Sequence, residues 1–217
     1  MTPQRILIPL GGMWHPFDGF AAFTKSLFEP AGYVVESTYD LDSLARLPAG
    51  GYDLVVSYTS LSKHRQGMND AGPEQLTDAQ VDGLTRWVRA GGGLLAVHSA
   101  TVVGASNPAY VALLGGAFIS HPPQFAFTVY PLPREHPITA GVEAFTVHDE
   151  FYIQRYDPSV QIHMVALDRG VAHPMVWTRN DGAGRVAHIA MGHSELVWDL
   201  PPYRRLLLQA AAWLLGC

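Results

Sequence analysis

The stretch TDAQVDGLTRWVRAGGGLLAVHS, residues 77–99, decides the fold. Thr77 and Gln80 have the spacing of a capping box, apolar residues follow at helical spacing, and Gly91-Gly92 is a stop signal, so a helix is predicted. The apolar run 94–97 comes directly after it and is typical of a strand buried on both faces. A helix followed at once by such a strand indicates a right-handed crossover in a parallel sheet.

The same alternation extends to both sides of this stretch. Before it, an apolar strand at 6–10 leads to a predicted helix at 17–29, and two more strands are predicted at 33–37 and 53–58. After Pro108, short strands separated by Pro- and Gly-rich turns are predicted at 125–130, 144–151, 161–167 and 175–178. A strand at 185–191 and a helix at 203–215 complete the chain. We therefore expect an α/β sandwich with a mostly parallel central sheet and antiparallel edge additions.

Composition excludes several classes of protein. The 217 residues suit one domain spanning 1–217, and 48% of them are hydrophobic, which argues against disorder. The net charge of −5 disfavours nucleic acid as a partner. The only cysteine is Cys217, so a disulfide framework and a cysteine-ligated zinc site are excluded. No apolar run has the length of a signal-peptide core or a membrane span, and a cytoplasmic location without membrane contact is expected.

Polar residues stand where the predicted parallel strands end. The first strand leads to Gly11-Gly12 and then His15, the third ends near Tyr58, the fourth at His98, and the last is followed by His193. Ligands of open α/β sheets bind beyond the carboxyl ends of the strands. We therefore expect His98 and His193 to converge although 95 positions separate them.

These residues carry a resemblance to known families. A buried strand that turns at one polar residue, with a late His-x-Glu, resembles the class I glutamine amidotransferase-like architecture, in which the turn holds a cysteine nucleophile. His98 stands there in this chain, so glutamine hydrolysis by a thiolate is not available. A series of motifs in chain order resembles the ThuA-like (trehalose utilisation) family: 91–98 (GGGLLAVH), His121-Pro122, His136-Pro137, 149–152 (DEFY), 173–177 (HPMVW), 184–186 (GRV) and Gly192-His193. This resemblance implies a flavodoxin-like three-layer sandwich and a role in sugar catabolism on trehalose-derived or other keto-sugars.

The candidate catalytic residues are His98, His193 and Glu195. Imidazoles titrate near neutral pH and suit proton transfer. Glu195 either orients His193 or places a negative charge in the first turn of the last helix. The same imidazoles, with His121 and one carboxylate of Asp149-Glu150, offer the nitrogen and oxygen ligands that a divalent ion such as zinc accepts. No cofactor is certain from the sequence, because no local His-x-x-x-His spacing exists.

A second group of residues is expected to bind substrate: Trp14, His15, Tyr58, His121, Glu150 and Tyr152. Adjacent strand residues point to opposite faces, so only one of Asp149 and Glu150 is expected in the pocket. Five other histidines are expected to be structural or solvated. They are His64 in a polar loop, His136 and His173 before prolines, and His163 and His188 within strands.

The leading hypothesis is therefore an enzyme that acts on a carbohydrate by proton transfer, either acid/base or metal-assisted, and that isomerises a keto-sugar or eliminates a group from it. Two alternatives remain open. One is a non-catalytic sugar-binding or regulatory module, and the other is a metal-dependent hydrolase of a small amide or ester. Exposed sheet edges are also compatible with a homodimer.

Overall fold

The computed structural model describes residues 2–61, 75–103 and 107–217. His64, which the sequence places in a solvated loop, lies outside these described residues. The strands are β1 Arg5–Gly12, β2 Val34–Thr38, β3 Leu54–Ser60, β4 Gly93–Val97, β5 Gly116–Ser120, β6 Phe125–Pro131, β7 Phe145–Asp149, β8 Ile153–Tyr156, β9 Gln161–Asp168, β10 Val171–Asp181 and β11 Gly184–Ile189. The α-helices are α1 Phe17–Phe28, α2 Asp42–Arg46, α3 Asp78–Arg89, α4 Pro108–Leu114, α5 Glu195–Trp198 and α6 Pro201–Leu215.

One large sheet organises the described residues. Its nine strands are ordered β2-β1-β3-β4-β11-β10-β9-β6-β7. The first five run parallel, whereas β10, β9, β6 and β7 continue the sheet with antiparallel pairings. Strands β5 and β8 form a separate antiparallel pair. The expected α/β fold with a parallel sheet and antiparallel additions is confirmed, and those additions make up four of the nine strands.

Side chains of the parallel strands alternate between two hydrophobic cores, because successive residues of a strand point to opposite faces. In β1, Ile6 and Ile8 enter the core that contains α1, α5 and α6, while Leu7 enters the core that contains α2, α3 and α4. In β4, Leu95 and Leu94 divide between the same two cores. Helices therefore cover both faces of the sheet, which gives the three-layer sandwich.

The helix–strand stretch that decides the fold is confirmed in detail. The Thr77 side chain accepts a hydrogen bond from the backbone of Gln80, and the Gln80 side chain accepts one from the backbone of Thr77, which completes the capping box. The strand that follows is fully buried and stops at His98, where a 3₁₀ turn, His98–Thr101, begins.

Two features of the antiparallel region differ from the expectations. Strand β10 begins at Val171, four residues before the predicted start, and passes through Pro174. Its pairing with β9 shifts register next to this proline, which has no N–H to contribute to the ladder. The pair β5–β8 was not predicted, because each strand is only four or five residues long and pairs outside the main sheet. Among the described residues, no helix combines the length and apolar character needed to cross a bilayer.

Candidate functional site

Four chain segments bring His15, His98, Glu150 and His193 together at the carboxyl end of the parallel strands. His15 follows β1, His98 follows β4, Glu150 follows β7 and His193 lies four residues after β11. One ligand atom from each residue lies within 4.8 Å of the ligand atoms of the other three. The rings of His98 and His193 have centroids 5.5 Å apart, so the expected convergence of these strand ends is observed.

His98 is held by its backbone conformation and by one hydrogen bond. Its φ of +44° lies in the left-handed region, which non-glycine residues rarely adopt, and the chain turns sharply there. Since a carbonyl only accepts, the 2.7 Å contact between Nδ1 and the carbonyl of Ala190 places a hydrogen on Nδ1. The Tyr152 ring stacks on the imidazole at 4.2 Å. The Nε2 atom of the fully buried His98 therefore points toward the cluster.

Glu150 is the centre of the cluster. One of its carboxylate oxygens lies 3.3 Å from His98 Nε2 and 3.9 Å from His15 Nε2. The other lies 3.3 Å from His193 Nδ1 and 3.7 Å from His121 Nε2. Burial alone would raise the pKa of the Glu150 carboxyl, but the neighbouring His193 and His98 outweigh it and hold the pKa well below its ordinary value. Glu150 is therefore ionised and is a weak base.

His15 completes the inner part of the site. Its Nδ1 lies 2.9 Å from the carbonyl of Met13, which places the hydrogen on Nδ1 and turns Nε2 toward Glu150. Burial, followed by the charge of His98, lowers the pKa of His15 to about 3, so its imidazole is neutral near pH 7. The Tyr152 hydroxyl lies 3.5 Å from His15 Nε2. Burial, followed by the charge of Glu150, raises the pKa of Tyr152 well above its ordinary value, so this hydroxyl keeps its proton.

The backbone that carries His193 is fixed by Asp149 and Tyr58. The Asp149 carboxylate accepts hydrogen bonds from the amides of Gly192, at 2.7 Å, and His193, at 3.3 Å. The Tyr58 hydroxyl donates to the carbonyls of the same two residues. Burial would lower the pKa of His193, but the neighbouring carboxylates, chiefly Glu150, raise it above its ordinary value. The role of Asp149 was missed, because contacts with backbone amides leave no pattern in the sequence.

His121 lies at the solvent side of the cluster, with its side chain 34% exposed compared with 12% for Glu150. Its Nδ1 lies 2.8 Å from the carbonyl of Pro122, so in the neutral ring the lone pair is on the Nε2 that faces Glu150. The ring of Phe118, which the sequence analysis did not select, lies 5.8 Å from His121 and 4.5 Å from Tyr152. An imidazole and aromatic rings thus flank the opening of the site.

Three expected roles, those of Glu195, Tyr58 and His121, need correction. Glu195 is exposed in the first turn of α5, and the carboxylate in contact with His193 is that of Glu150. Tyr58 is fully buried behind the site, where its hydroxyl is used by backbone carbonyls, so it is placed to hold the loop and not to touch substrate. Trp14, next to His15 in the chain, is 48% exposed, and its contact with substrate stays a prediction. In the group of possible metal ligands, His15 takes the position expected for His121, because the turn after β1 directs its Nε2 inward.

Two further histidines are structural, as expected. His188 is fully buried, and its Nδ1 lies 3.0 Å from the carbonyl of Ala96, while its Nε2 accepts from the Gln154 amide. His163 Nε2 bonds to the Thr178 hydroxyl at 2.7 Å. Neither is part of the cluster.

Solved structures share this fold over almost the whole chain. A ThuA-like protein from Bacteroides uniformis ATCC 8492 is 19% identical with a TM-score of 0.77, and the match covers 99% of this chain and 93% of that one. A ThuA-like protein from Parabacteroides merdae ATCC 43184 is 18% identical with a TM-score of 0.80, over 99% and 90% of the two chains. The β-galactosidase from Rahnella sp. R3 also contains the fold, with 13% identity and a TM-score of 0.66, but the match covers only 31% of that enzyme.

Comparison with curated proteins gives no significant match. The sequence does match a family model, ThuA, described as trehalose utilisation, over residues 16–214. This range contains three members of the four-residue cluster as well as Tyr152 and His121. The chain therefore belongs to the ThuA family.

Proposed function

We propose that this protein is an enzyme of sugar catabolism that removes a proton from the carbon next to the carbonyl of a keto-sugar, which leads to isomerisation or to elimination. The family supports a sugar as the substrate class. The observation that carries the chemistry is a single carboxylate, Glu150, within 3.9 Å of four imidazoles, of which only His121 is substantially exposed.

The division between the inner and outer imidazoles suggests the roles. His121 is the most exposed of the four imidazoles, and its Nε2, next to Glu150, is the group best placed to accept a proton from carbon. The enolate oxygen that results needs a positive charge or a hydrogen-bond donor nearby. His193, whose side chain is 18% exposed and whose pKa is raised by the neighbouring carboxylates, chiefly Glu150, can supply the positive charge.

The reaction balances without an oxidant or a reductant. For a 3-keto-disaccharide, the proton leaves C2 and its bonding electrons form the enolate of the C3 ketone. The enolate then collapses in one of two ways. Either a carbon of the enolate takes up a proton, which gives the isomer, or the bond from C1 to the glycosidic oxygen breaks. In the second case the proton held by His121 is returned to the leaving oxygen, and the products are an unsaturated keto-sugar and a free sugar.

The test is incubation with a 3-keto-disaccharide in deuterated water, followed by NMR and mass spectrometry. We expect deuterium next to the ketone or release of a monosaccharide. The variant His121→Asn is expected to react at least about 100-fold more slowly, because a positioned acid or base contributes about that factor or more. His148→Asn, which replaces an exposed histidine of β7, is the matched control and should react at the normal rate.

Neither label nor product from the unmodified protein would overturn the proposal. Tight binding of the sugar without any reaction would overturn it in favour of a non-catalytic sugar-binding module. Equal rates for His121→Asn and His148→Asn would remove His121 from the mechanism.

A further inference from the structure

We propose that His15 Nε2, His98 Nε2, His193 Nδ1 and a carboxylate oxygen of Glu150 form a binding site for one divalent transition-metal ion of the zinc type. The proposal goes beyond the reaction above, because it concerns the protein without substrate and does not depend on which sugar is processed.

The spacing of the ligand atoms fits one ion. Two atoms that are each about 2.0–2.1 Å from a tetrahedral zinc ion are about 3.3 Å apart. Oε2 of Glu150 lies 3.3 Å from His98 Nε2, and Oε1 of the same carboxylate lies 3.3 Å from His193 Nδ1. The contact with His15 Nε2 is 3.9 Å, and all four atoms lie within 4.8 Å of one another. The most distant of these atoms would have to approach one another by up to about 1.5 Å to reach the tetrahedral spacing.

Hydrogen bonds already orient two of the imidazoles as metal ligands. Nδ1 of His15 donates to the carbonyl of Met13, and Nδ1 of His98 donates to the carbonyl of Ala190. Metal-bound histidines commonly use their second ring nitrogen in this way, which fixes both the tautomer and the direction of the lone pair. Both Nε2 lone pairs are thus directed toward the carboxylate of Glu150.

The buried nitrogens also lack another partner. Among the described residues, His98 Nε2 and His193 Nδ1 are buried side-chain nitrogens for which no hydrogen-bond partner is found. His98 is fully buried, where an unsatisfied polar atom is costly. The Glu150 carboxylate, 3.3 Å from each nitrogen, is the charged group that faces both of them. A cation bound between the two nitrogens and the carboxylate would give each of these groups a partner.

The donor set indicates the class of ion. Three imidazole nitrogens and one carboxylate oxygen suit zinc and other divalent transition metals better than magnesium or calcium, which prefer oxygen ligands. Asp149 is not available as a ligand, because its oxygens accept hydrogen bonds from three backbone amides. His121, on the solvent side, is left outside the group and flanks the direction from which a sugar would approach.

The experiment measures zinc binding to the full chain after removal of metal with a chelator. Isothermal titration with zinc and elemental analysis should show one ion per chain, and cobalt should give the visible spectrum of a low-coordinate nitrogen and oxygen site. Glu150→Gln and His98→Asn are expected to weaken zinc binding at least about 100-fold, since even groups that only support a ligand contribute 10–100-fold. Asparagine suits the positive φ at position 98.

Two controls separate this site from adventitious binding by histidine. His148→Asn should bind zinc within about threefold of the unmodified protein, and His121→Asn should lose less affinity than His98→Asn, because His121 contacts only the ligand Glu150. Circular dichroism and thermal melting of every variant in chelator establish that it is folded, and Glu150→Gln, which preserves side-chain size, covers the case in which His98→Asn does not fold.

The outcomes are distinct from those for the sugar reaction. Absence of stoichiometric zinc binding, or unchanged binding by a folded Glu150→Gln, overturns the metal centre even if deuterium exchange into a keto-sugar is observed. A loss of zinc affinity in His121→Asn as large as that in His98→Asn overturns the ligand set. Stoichiometric zinc that Glu150→Gln loses supports the centre even if no keto-sugar reacts.

Discussion

Acid should destabilise the folded protein through His188, a histidine outside the cluster. This side chain is fully buried between β4 and β10, and both ring nitrogens are used, one toward the carbonyl of Ala96 and one toward the amide of Gln154. Burial is the main reason that the pKa of His188 is lowered from 6.5 to about 3. In the unfolded chain His188 is therefore protonated as the pH falls through about 6.5, whereas in the folded protein it stays neutral until about pH 3.

The sign and size of the effect follow from these two values. The contribution of His188 to stability is complete above pH 6.5 and is lost as the pH falls from about 6.5 toward 3, because only the unfolded state gains the proton in this range. Between pH 8 and pH 5, linkage gives a loss of about 2 kcal/mol from this one residue. His15 and His163, with pKa values of about 3 and about 4, add to the acid sensitivity of the whole protein.

The assay is urea unfolding at pH 8, 7, 6 and 5 in the presence of a chelator, for the unmodified protein and for His188→Gln. Only the difference between pH 8 and pH 5 is compared, so a uniform loss of stability in the variant does not matter, and the contributions of the other histidines cancel. The variant should lose about 2 kcal/mol less than the unmodified protein. Equal losses in the two proteins, or an NMR titration of His188 near pH 6.5, would refute the reasoning.

Two substitutions test the packing that supports the site. Gly12→Ala should lower the free energy of unfolding, measured in urea, by about 3 kcal/mol or more, because φ is +112° and the new Cβ would lie 1.9 Å from the carbonyl oxygen of Ser60. The control is Gly170→Ala, which has φ of +80° and nothing within 4 Å of the new Cβ, and which should cost only about 1 kcal/mol. Similar losses in the two variants would contradict the steric argument. Tyr58→Phe should lower the free energy of unfolding by about 1 kcal/mol in the same assay and slow the keto-sugar reaction, because the carbonyl of His193 loses its hydrogen-bond donor. Unchanged stability and rate would show that the hydroxyl does not hold this loop.

Most of the fold could be predicted because its signals are local. The capping box at Thr77 and Gln80 depends on residues three positions apart, and the alternation of Ile6, Leu7 and Ile8 between two cores depends only on strand geometry. The β5–β8 pair could not be predicted in this way. Two short strands gain stability only from each other and from the surrounding packing, and neither has a signal of its own.

The candidate site, like the fold, could be predicted from the sequence only in part. The rule that parallel strands end at one edge of the sheet brought His98 and His193 together from sequence alone. The same rule also supplied His15, but the expected metal group did not include it, because the turn that directs Nε2 inward depends on its bond to the carbonyl of Met13. The choice of Glu150 over Glu195 as the carboxylate beside His193 depended on β7, which reaches the site from the antiparallel part of the sheet.

The sequence by itself determined the layered α/β architecture, the family and the edge of the sheet at which polar residues collect, because periodicity, capping and strand direction are properties of neighbouring residues. Only the tertiary structure decided which atoms face one another. Beyond the end of a strand, the direction of a side chain depends on backbone angles such as the positive φ of His98, and on partners distant in the chain such as the carbonyl of Ala190. Such long-range contacts form only when the whole sheet is assembled.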